Sequence, residues 1–216
     1  ATIGACVSAL QAQTYPGRFS IVVVDDASTD ATTTIARAAG GPKTTVIQAP
    51  PLRAGWTGKL AALQAGLAHL EQSAAVPDYI WFTDADIVHA PPVLARLMSK
   101  ATRDGCDLVS LMVRLNCVSA WERLLIPAFI FFFQMLYPFP EVNTQGAPTA
   151  AAAGGCVLIR RDRLVAAGGL DAIRGEIIDD CALAKIVKRS GARIWLGLAD
   201  DSQSLREADK LAPLWE

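Results

Sequence analysis

The chain of 216 residues is 52% hydrophobic and 19% charged, and its 20 basic and 21 acidic side chains leave a formal net charge of −1. That length suits one domain with a sizeable core, and 16 glycines and 12 prolines are near ordinary usage, which excludes collagen-like and disordered chains. Balanced charge without a Lys/Arg run argues against nucleic acid as a partner, and Cys6, Cys106, Cys117, Cys156 and Cys181, in no CxxC or His-paired spacing, argue against a disulfide framework or a zinc site. A mean hydropathy of +0.30 is high, yet no segment reaches the roughly 18 uninterrupted apolar residues of a membrane span, so a water-facing domain near a membrane is expected.

The chain opens without Met inside a helical pattern, Ala1 to Leu10, as a fragment would. Thr14-Tyr15-Pro16-Gly17 is a turn, and the β-branched run Phe19 to Val24 predicts a strand of a parallel sheet. Asp25-Asp26-Ala27-Ser28-Thr29-Asp30 ends that strand and offers caps to a helix over Ala31–Ala39, which Gly40-Gly41-Pro42 stops. A strand over Thr44–Gln48, a proline-flanked loop to Gly58 and a helix over Lys59–Glu71 follow, the last with leucines at three- and four-residue intervals. Tyr79–Thr83 is the next strand, ended by Asp84-Ala85-Asp86; Pro91–Thr102 reads as a helix and Leu108–Leu115 as a strand.

From Ser119 to Phe139 the pattern changes. Ser119-Ala120-Trp121-Glu122 is a capping box, and Leu124 to Phe133 contains no polar residue. About fifteen helical residues cover roughly 22 Å, short of a hydrocarbon core of about 30 Å, so this helix is either buried in the core or lies in a membrane interface. Glu141–Thr149 reads as a loop, Cys156–Ile159 as a strand after Gly154-Gly155, Arg163–Ala167 as a short helix, Asp179 to Ser190 as a helix and Arg193–Leu198 as the last strand before a charged tail. Strands alternating with helices indicate an α/β domain whose polar loops gather at the carboxyl ends of the strands.

Three acidic groups fall at those loops or at helix starts: Asp25/Asp26, Asp84/Asp86 and Asp179/Asp180. Each pair alone could merely cap a helix, but gathered on one edge they would repel unless a cation or ligand compensated them. Asp84 and Asp86, one residue apart, suit a hard divalent cation that in turn neutralises a diphosphate. Asp180, at a helix start, can accept a proton from a substrate hydroxyl. Lys59, after Gly55-Trp56-Thr57-Gly58, can direct its ammonium at an anionic donor, with Trp56 as a flat surface beside it. His69 and His89 lack a second ligand at suitable spacing and receive no role.

The stretch Val22–Asp30, the Asp84-Ala85-Asp86 "DxD" element, Gly154-Gly155, and Asp179-Asp180-Cys181-Ala182-Leu183 in the place of an "EDxxL" element resemble inverting family 2 glycosyltransferases of the GT-A fold. Gly55-Trp56-Thr57-Gly58-Lys59-Leu60, Trp121-Glu122-Arg123-Leu124-Leu125-Ile126-Pro127-Ala128-Phe129 and Ile178–Ala184 are similar, more narrowly, to the hopanoid-biosynthesis-associated branch. The resemblance implies one Rossmann-like domain over residues 1–216, a mostly parallel sheet flanked by helices, truncated before its first strand and before C-terminal membrane helices. It implies Asp26 on the base or ribose of a nucleotide-diphosphate sugar, a UDP-sugar foremost, Asp84 and Asp86 on the ribose, diphosphate and Mg²⁺ or Mn²⁺, and Asp180 as general base. Asp179 stands where relatives carry Glu, and Arg206 and Trp215 are loose counterparts of an acceptor-side Arg/Trp element. A lipid acceptor and the cytoplasmic face of a bacterial inner membrane complete the expectation. Two other readings compete: a non-catalytic membrane-interaction domain that retains the fold, and a nucleotidyltransferase on a related sheet. A phosphorelay receiver shares the acidic end of the first strand, but Pro50–Asp78 has no Asp between its ends to serve as phosphoacceptor.

Overall fold

Parallel strands need crossovers, and this chain supplies them as helices between β-branched runs. A computed structural model of the chain describes residues 2–73 and 75–206. Helix α1 (Thr2–Gln11) precedes β1 (Ile21–Asp25), α2 (Thr32–Ala39) and β2 (Thr44–Gln48); then come α3 (Gly58–Glu71), β3 (Tyr79–Thr83), β4 (Ile87–His89), α4 (Val93–Arg103) and β5 (Leu108–Arg114). Helices α5 (Ala120–Leu136) and α6 (Phe139–Asn143) lead to β6 (Cys156–Arg160), α7 (Arg161–Ala166), a 3₁₀ turn (Leu170–Ile173), α8 (Asp179–Arg189) and β7 (Ile194–Ser204).

β1 and β2 pair in parallel, Ile21 opposite Thr44 through Asp25 opposite Gln48. The other strands form a five-stranded sheet in the order β3-β6-β5-β7-β4. The expected parallel sense holds for β1–β2 and for β5–β7, each pair joined through helices, whereas β3–β6, β5–β6 and β4–β7 run antiparallel. β6 comes back after the excursion through α5 and α6 and enters between β3 and β5 in the opposite sense, so the five-stranded sheet has fewer parallel pairs than the mostly parallel sheet expected. One side of the sheet packs on a cluster built from Leu60, Leu108, Ile159, Leu164, Leu183, Val187 and Leu196. The other packs on Val93, Leu97, Val109, Val113 and Leu158.

Three segments depart from the sequence expectation. The three-residue strand β4 is too short to carry a pattern. The last strand runs past Leu198 to Ser204 because its polar end pairs with β4, Ile87 opposite Ser204 and His89 opposite Ser202. Phe139–Asn143, expected partly as loop, is helical, and Asn143 holds it to β7 through both its amide groups, Nδ2 to the Leu196 carbonyl at 3.0 Å and Oδ1 from the Leu196 N–H at 2.7 Å.

Exposure in the described residues tells against one of the two alternatives for helix α5. Its capping box forms as expected, with Glu122 buried and bonded to the Ser119 N–H at 2.8 Å. Phe133 and Tyr137 pack against the main cluster, but Trp121, Leu124, Phe129, Phe131, Phe132, Met135 and Leu136 remain exposed. The helix is therefore not a core helix of the described fold, and no helix among the described residues is long and apolar enough to cross a membrane.

Candidate functional site

The site begins where two helix N-termini meet. Thr57 caps α3, its hydroxyl accepting the Leu60 N–H at 3.4 Å, and this sets Lys59 in the first turn. A cation there opposes the helix dipole, so it requires acidic partners. Lys59 has them: its Nζ lies 3.1 Å from Asp84 Oδ1 and 3.7 Å from Asp179 Oδ2. Partial burial works against the ammonium, but the Asp84 and Asp179 carboxylates outweigh it and hold the Lys59 pKa above the ordinary lysine value. Of the acids expected to gather, Asp84 and Asp179 meet at Lys59, which is their compensating cation.

Asp179 and Asp180 occupy the first turn of α8, where the dipole favours negative charge. Asp180 is held by backbone donors, Gly154 N–H to Oδ2 at 2.7 Å and Cys181 N–H to Oδ1 at 2.7 Å. Burial nevertheless raises its pKa above the ordinary aspartate value, and these N–H donors only moderate the rise. A carboxylate of raised basicity, rigidly oriented, is what proton abstraction from a hydroxyl requires. Gly154 is here for want of space: a Cβ would lie 3.0 Å from Lys59 Nζ and 3.3 Å from Asp180 Oδ2. Buried Ser110 on β5 fixes this floor, accepting the Ala153 N–H at 2.8 Å and donating to the Ala153 carbonyl at 3.2 Å.

The two acids after β1 separate by direction. Asp25 is 4% exposed and turned inward, its Oδ2 accepting from Gln48 Nε2 at 2.9 Å. Asp26 is exposed, and its Oδ2 would be 2.9 Å from a Cβ at Gly58, which brings it to the start of α3 beside Lys59. Ala27, at φ 55°, makes the left-handed turn that follows. Trp56 packs on the main cluster and forms one wall of a cavity of about 320 Å³ with Gln48, Arg53, Gln64 and His69.

Asp86 accepts from the Ser204 hydroxyl at 3.2 Å, and that hydroxyl in turn accepts the Arg206 N–H at 3.1 Å. Arg206 therefore sits on the Asp86 side of the site, its side chain exposed; Trp215 lies outside the described residues. Sequence reasoning missed Ser110, Ser202 and Ser204, and no sequence pattern marks the last two, whose alternating burial arises only when the polar end of β7 pairs with β4. Among the described residues no group of three or more His, Cys, Asp or Glu side chains could hold a metal ion alone. Asp84 and Asp86 offer hard oxygen donors, and a Mg²⁺- or Mn²⁺-like ion there would need its remaining ligands from phosphate and water.

The fold has solved counterparts. A mycobacterial protein matches at 23% identity and TM-score 0.59 over 99% of this chain and 65% of that one. Glucosyl-3-phosphoglycerate synthase from Mycobacterium tuberculosis, in a complex with Mn²⁺ and UDP-glucose, matches at 20% identity and TM-score 0.55, over 98% of this chain and 70% of that one. Residues 1–349 of S. aureus TarS, in a complex with UDP-GlcNAc, match at 18% identity and TM-score 0.58, over 95% of this chain and 55% of that one. The chain thus spans between about half and 70% of these proteins' lengths. No curated protein matches the sequence. The family model of glycosyl transferase family 2 matches residues 1–165, and the chain belongs to that family.

Proposed function

We propose that the chain transfers a sugar, with inversion, from a nucleotide-diphosphate sugar to a hydroxyl of a hopanoid-like lipid at a membrane surface. The observation that carries the reading is the Lys59 ammonium held between Asp84 and Asp179, which joins the donor-side acids to the helix start bearing Asp180. Asp26 and Trp56 take the nucleoside side and Lys59 faces the diphosphate. A divalent ion held by Asp84 and Asp86 would supply the positive charge that lets the diphosphate leave. Asp180 takes the proton of the acceptor hydroxyl as its oxygen attacks the anomeric carbon in line; the bond from that carbon to the diphosphate oxygen breaks, and the nucleoside diphosphate departs with the electron pair. Asp179 keeps Asp180 in place by accepting its N–H at 3.1 Å. The relatives solved with UDP-glucose and UDP-GlcNAc favour a UDP-sugar as donor.

The lipid acceptor is supported by what surrounds the base. Ile177 is 93% and Ile178 58% exposed immediately before Asp179. Helix α5 leads to the same place, since Tyr137 and Cys181 belong to one packed cluster. Between Leu115 and Pro140 the charged residues are Glu122, buried in its capping box, and Arg123, so the exposed face of α5 carries mostly apolar side chains with Gln134 and one cation. Such a helix suits the headgroup boundary of an anionic leaflet, which we assign to the cytoplasmic face of a bacterial inner membrane.

Calorimetric titration of UDP and UDP-sugars, with and without Mn²⁺, into the chain and into Asp86→Ala tests the donor side. Metal-dependent binding that vanishes in the variant is expected; a folded protein that binds no nucleotide sugar refutes it and leaves a non-catalytic membrane-interaction domain. Co-sedimentation with anionic vesicles tests the acceptor side. Phe131→Ser/Phe132→Ser is expected to stay in the supernatant, and equal pelleting of variant and parent would remove α5 from the membrane reading.

A further inference from the structure

His89 is the most buried charged-type side chain near the site, 1% exposed, and nothing in the reaction above uses it. Its position follows from the topology. β3 and β4 lie at opposite edges of the five-stranded order although only residues 84–86 connect them. β3 pairs with β6 and β4 with β7, and no backbone ladder joins β3 to β4 across the Asp84–Asp86 turn.

Side chains provide the link. His89 Nε2 is 2.8 Å from Thr83 Oγ1, at the end of β3, and Nδ1 is 2.8 Å from Ser202 Oγ, on β7. Thr83 Oγ1 donates to the Asp84 carbonyl at 3.4 Å. One neutral tautomer satisfies this chain of bonds: Ser202 donates to Nδ1, Nε2–H donates to Thr83, and Thr83 donates to Asp84. The Trp81 ring, 4.6 Å away, closes one side of the imidazole. The same strand secures the second acid, through Ser204 to the Asp86 carboxylate at 3.2 Å and Leu205 N–H to the Asp86 carbonyl at 2.7 Å. Ile87 N–H returns to the Asp84 carbonyl at 3.3 Å.

We propose that His89 is a positioning residue for the Asp84–Asp86 turn, its neutral imidazole tying Thr83 at the end of β3 to Ser202, its ladder partner on β7, so that the turn is held in place to present its acids to a cation and diphosphate. The assignment of a cation and diphosphate to these acids rests on the sugar-transfer reading. The bridge itself does not.

Two readouts on the full chain separate the two. Amide hydrogen exchange at Ile87 and Leu205, whose N–H groups close the turn, reads the bridge directly, and calorimetry with Mn²⁺ and UDP reads its consequence. Leu164→Ala, a buried truncation in α7, serves as a control of general destabilisation. His89→Ala is expected to speed exchange at Ile87 and Leu205 at least tenfold beyond the control, and to weaken Mn²⁺-dependent UDP binding tenfold or more well below its melting temperature. His89→Gln, which keeps one donor and one acceptor, is expected to recover most of both. Unchanged exchange at the two amides overturns the bridge. Unchanged UDP binding in a folded His89→Ala, or an equal loss in Leu164→Ala, overturns the positioning role. A parent chain that binds no UDP with Mn²⁺ defeats the sugar-transfer reading, and the exchange result still decides the bridge. Should His89→Ala fail to fold, Ser202→Ala removes one end of the bridge, with the same outcomes applied.

Discussion

Burial of His89 makes the fold sensitive to mild acid. Enclosed by Trp81, Thr83 and Ser202, the imidazole loses hydration when charged, and its pKa falls from 6.5 to about 4. The unfolded chain therefore binds this proton first. The neutral histidine contributes its full stability above pH 6.5 and loses it as pH falls toward about 4. At pH 5, about 1.5 pH units below the unfolded value, the loss is about 2 kcal/mol at ~1.4 kcal/mol per unit, a large share of the roughly 5–15 kcal/mol that holds a domain together. Urea unfolding followed by far-UV circular dichroism at pH 7.5, 6.5, 5.5 and 5.0, on the parent and on His89→Gln, measures it. The variant starts less stable but declines less, by about 2 kcal/mol over this range. All other titrating groups are common to both proteins and cancel in the difference. Parallel curves would refute the reasoning.

Other outcomes follow from the site. Asp180→Asn is expected to keep UDP binding and lose roughly 10²–10⁴-fold in turnover, read in a single-turnover transfer assay. In the parent, because burial raises the Asp180 pKa, the acid limb of the rate profile should lie above the ordinary aspartate value, turnover falling as pH drops through it; a limb at or below that value would count against Asp180 as the base. Lys59→Met should change stability by less than about 1 kcal/mol, since the ion pairs are half exposed, while UDP affinity falls markedly, as calorimetry would show. Gly154→Ala introduces a methyl group 3.0 Å from Lys59 Nζ and 3.3 Å from Asp180 Oδ2, and should depress turnover more than it lowers the melting temperature.

Much of this was legible because the signals were local. The Ser119/Glu122 capping box and the acids at strand ends and helix starts are short-range patterns, and each lies where its spacing indicates. The partners of those groups were not legible. Lys59 reads from the sequence as a cation for an anionic donor, and its contacts with Asp84 and Asp179 arise only when two helix N-termini face each other. His89 received no role because its neighbours were sought at metal-ligand spacing, whereas one is Thr83 and the other, Ser202, is 113 residues away. The polar end of β7 reads as tail for the same reason: Ser202 and Ser204 are buried by pairing with a three-residue strand that has no pattern of its own. The exposure of α5 could not be read at all, because an all-apolar helix has no stripe to say which side is covered.

Lys188, at the far end of α8, donates its three ammonium protons to backbone carbonyls, those of Glu141 at 3.3 Å, Val142 at 2.8 Å and Thr149 at 2.7 Å. It acts there much as a bound metal ion would, knotting the segment that leads into Ala150–Gly154 to the helix whose opposite end carries Asp179 and Asp180. The wall beside the base is bolted at its rear, and to swing it outward the protein would break all three charge-assisted bonds at once. In the proposed transfer, an acceptor alcohol would then meet a wall that does not yield on the α8 side, with exposed Ile177 and Ile178 beside Asp179 and Asp180.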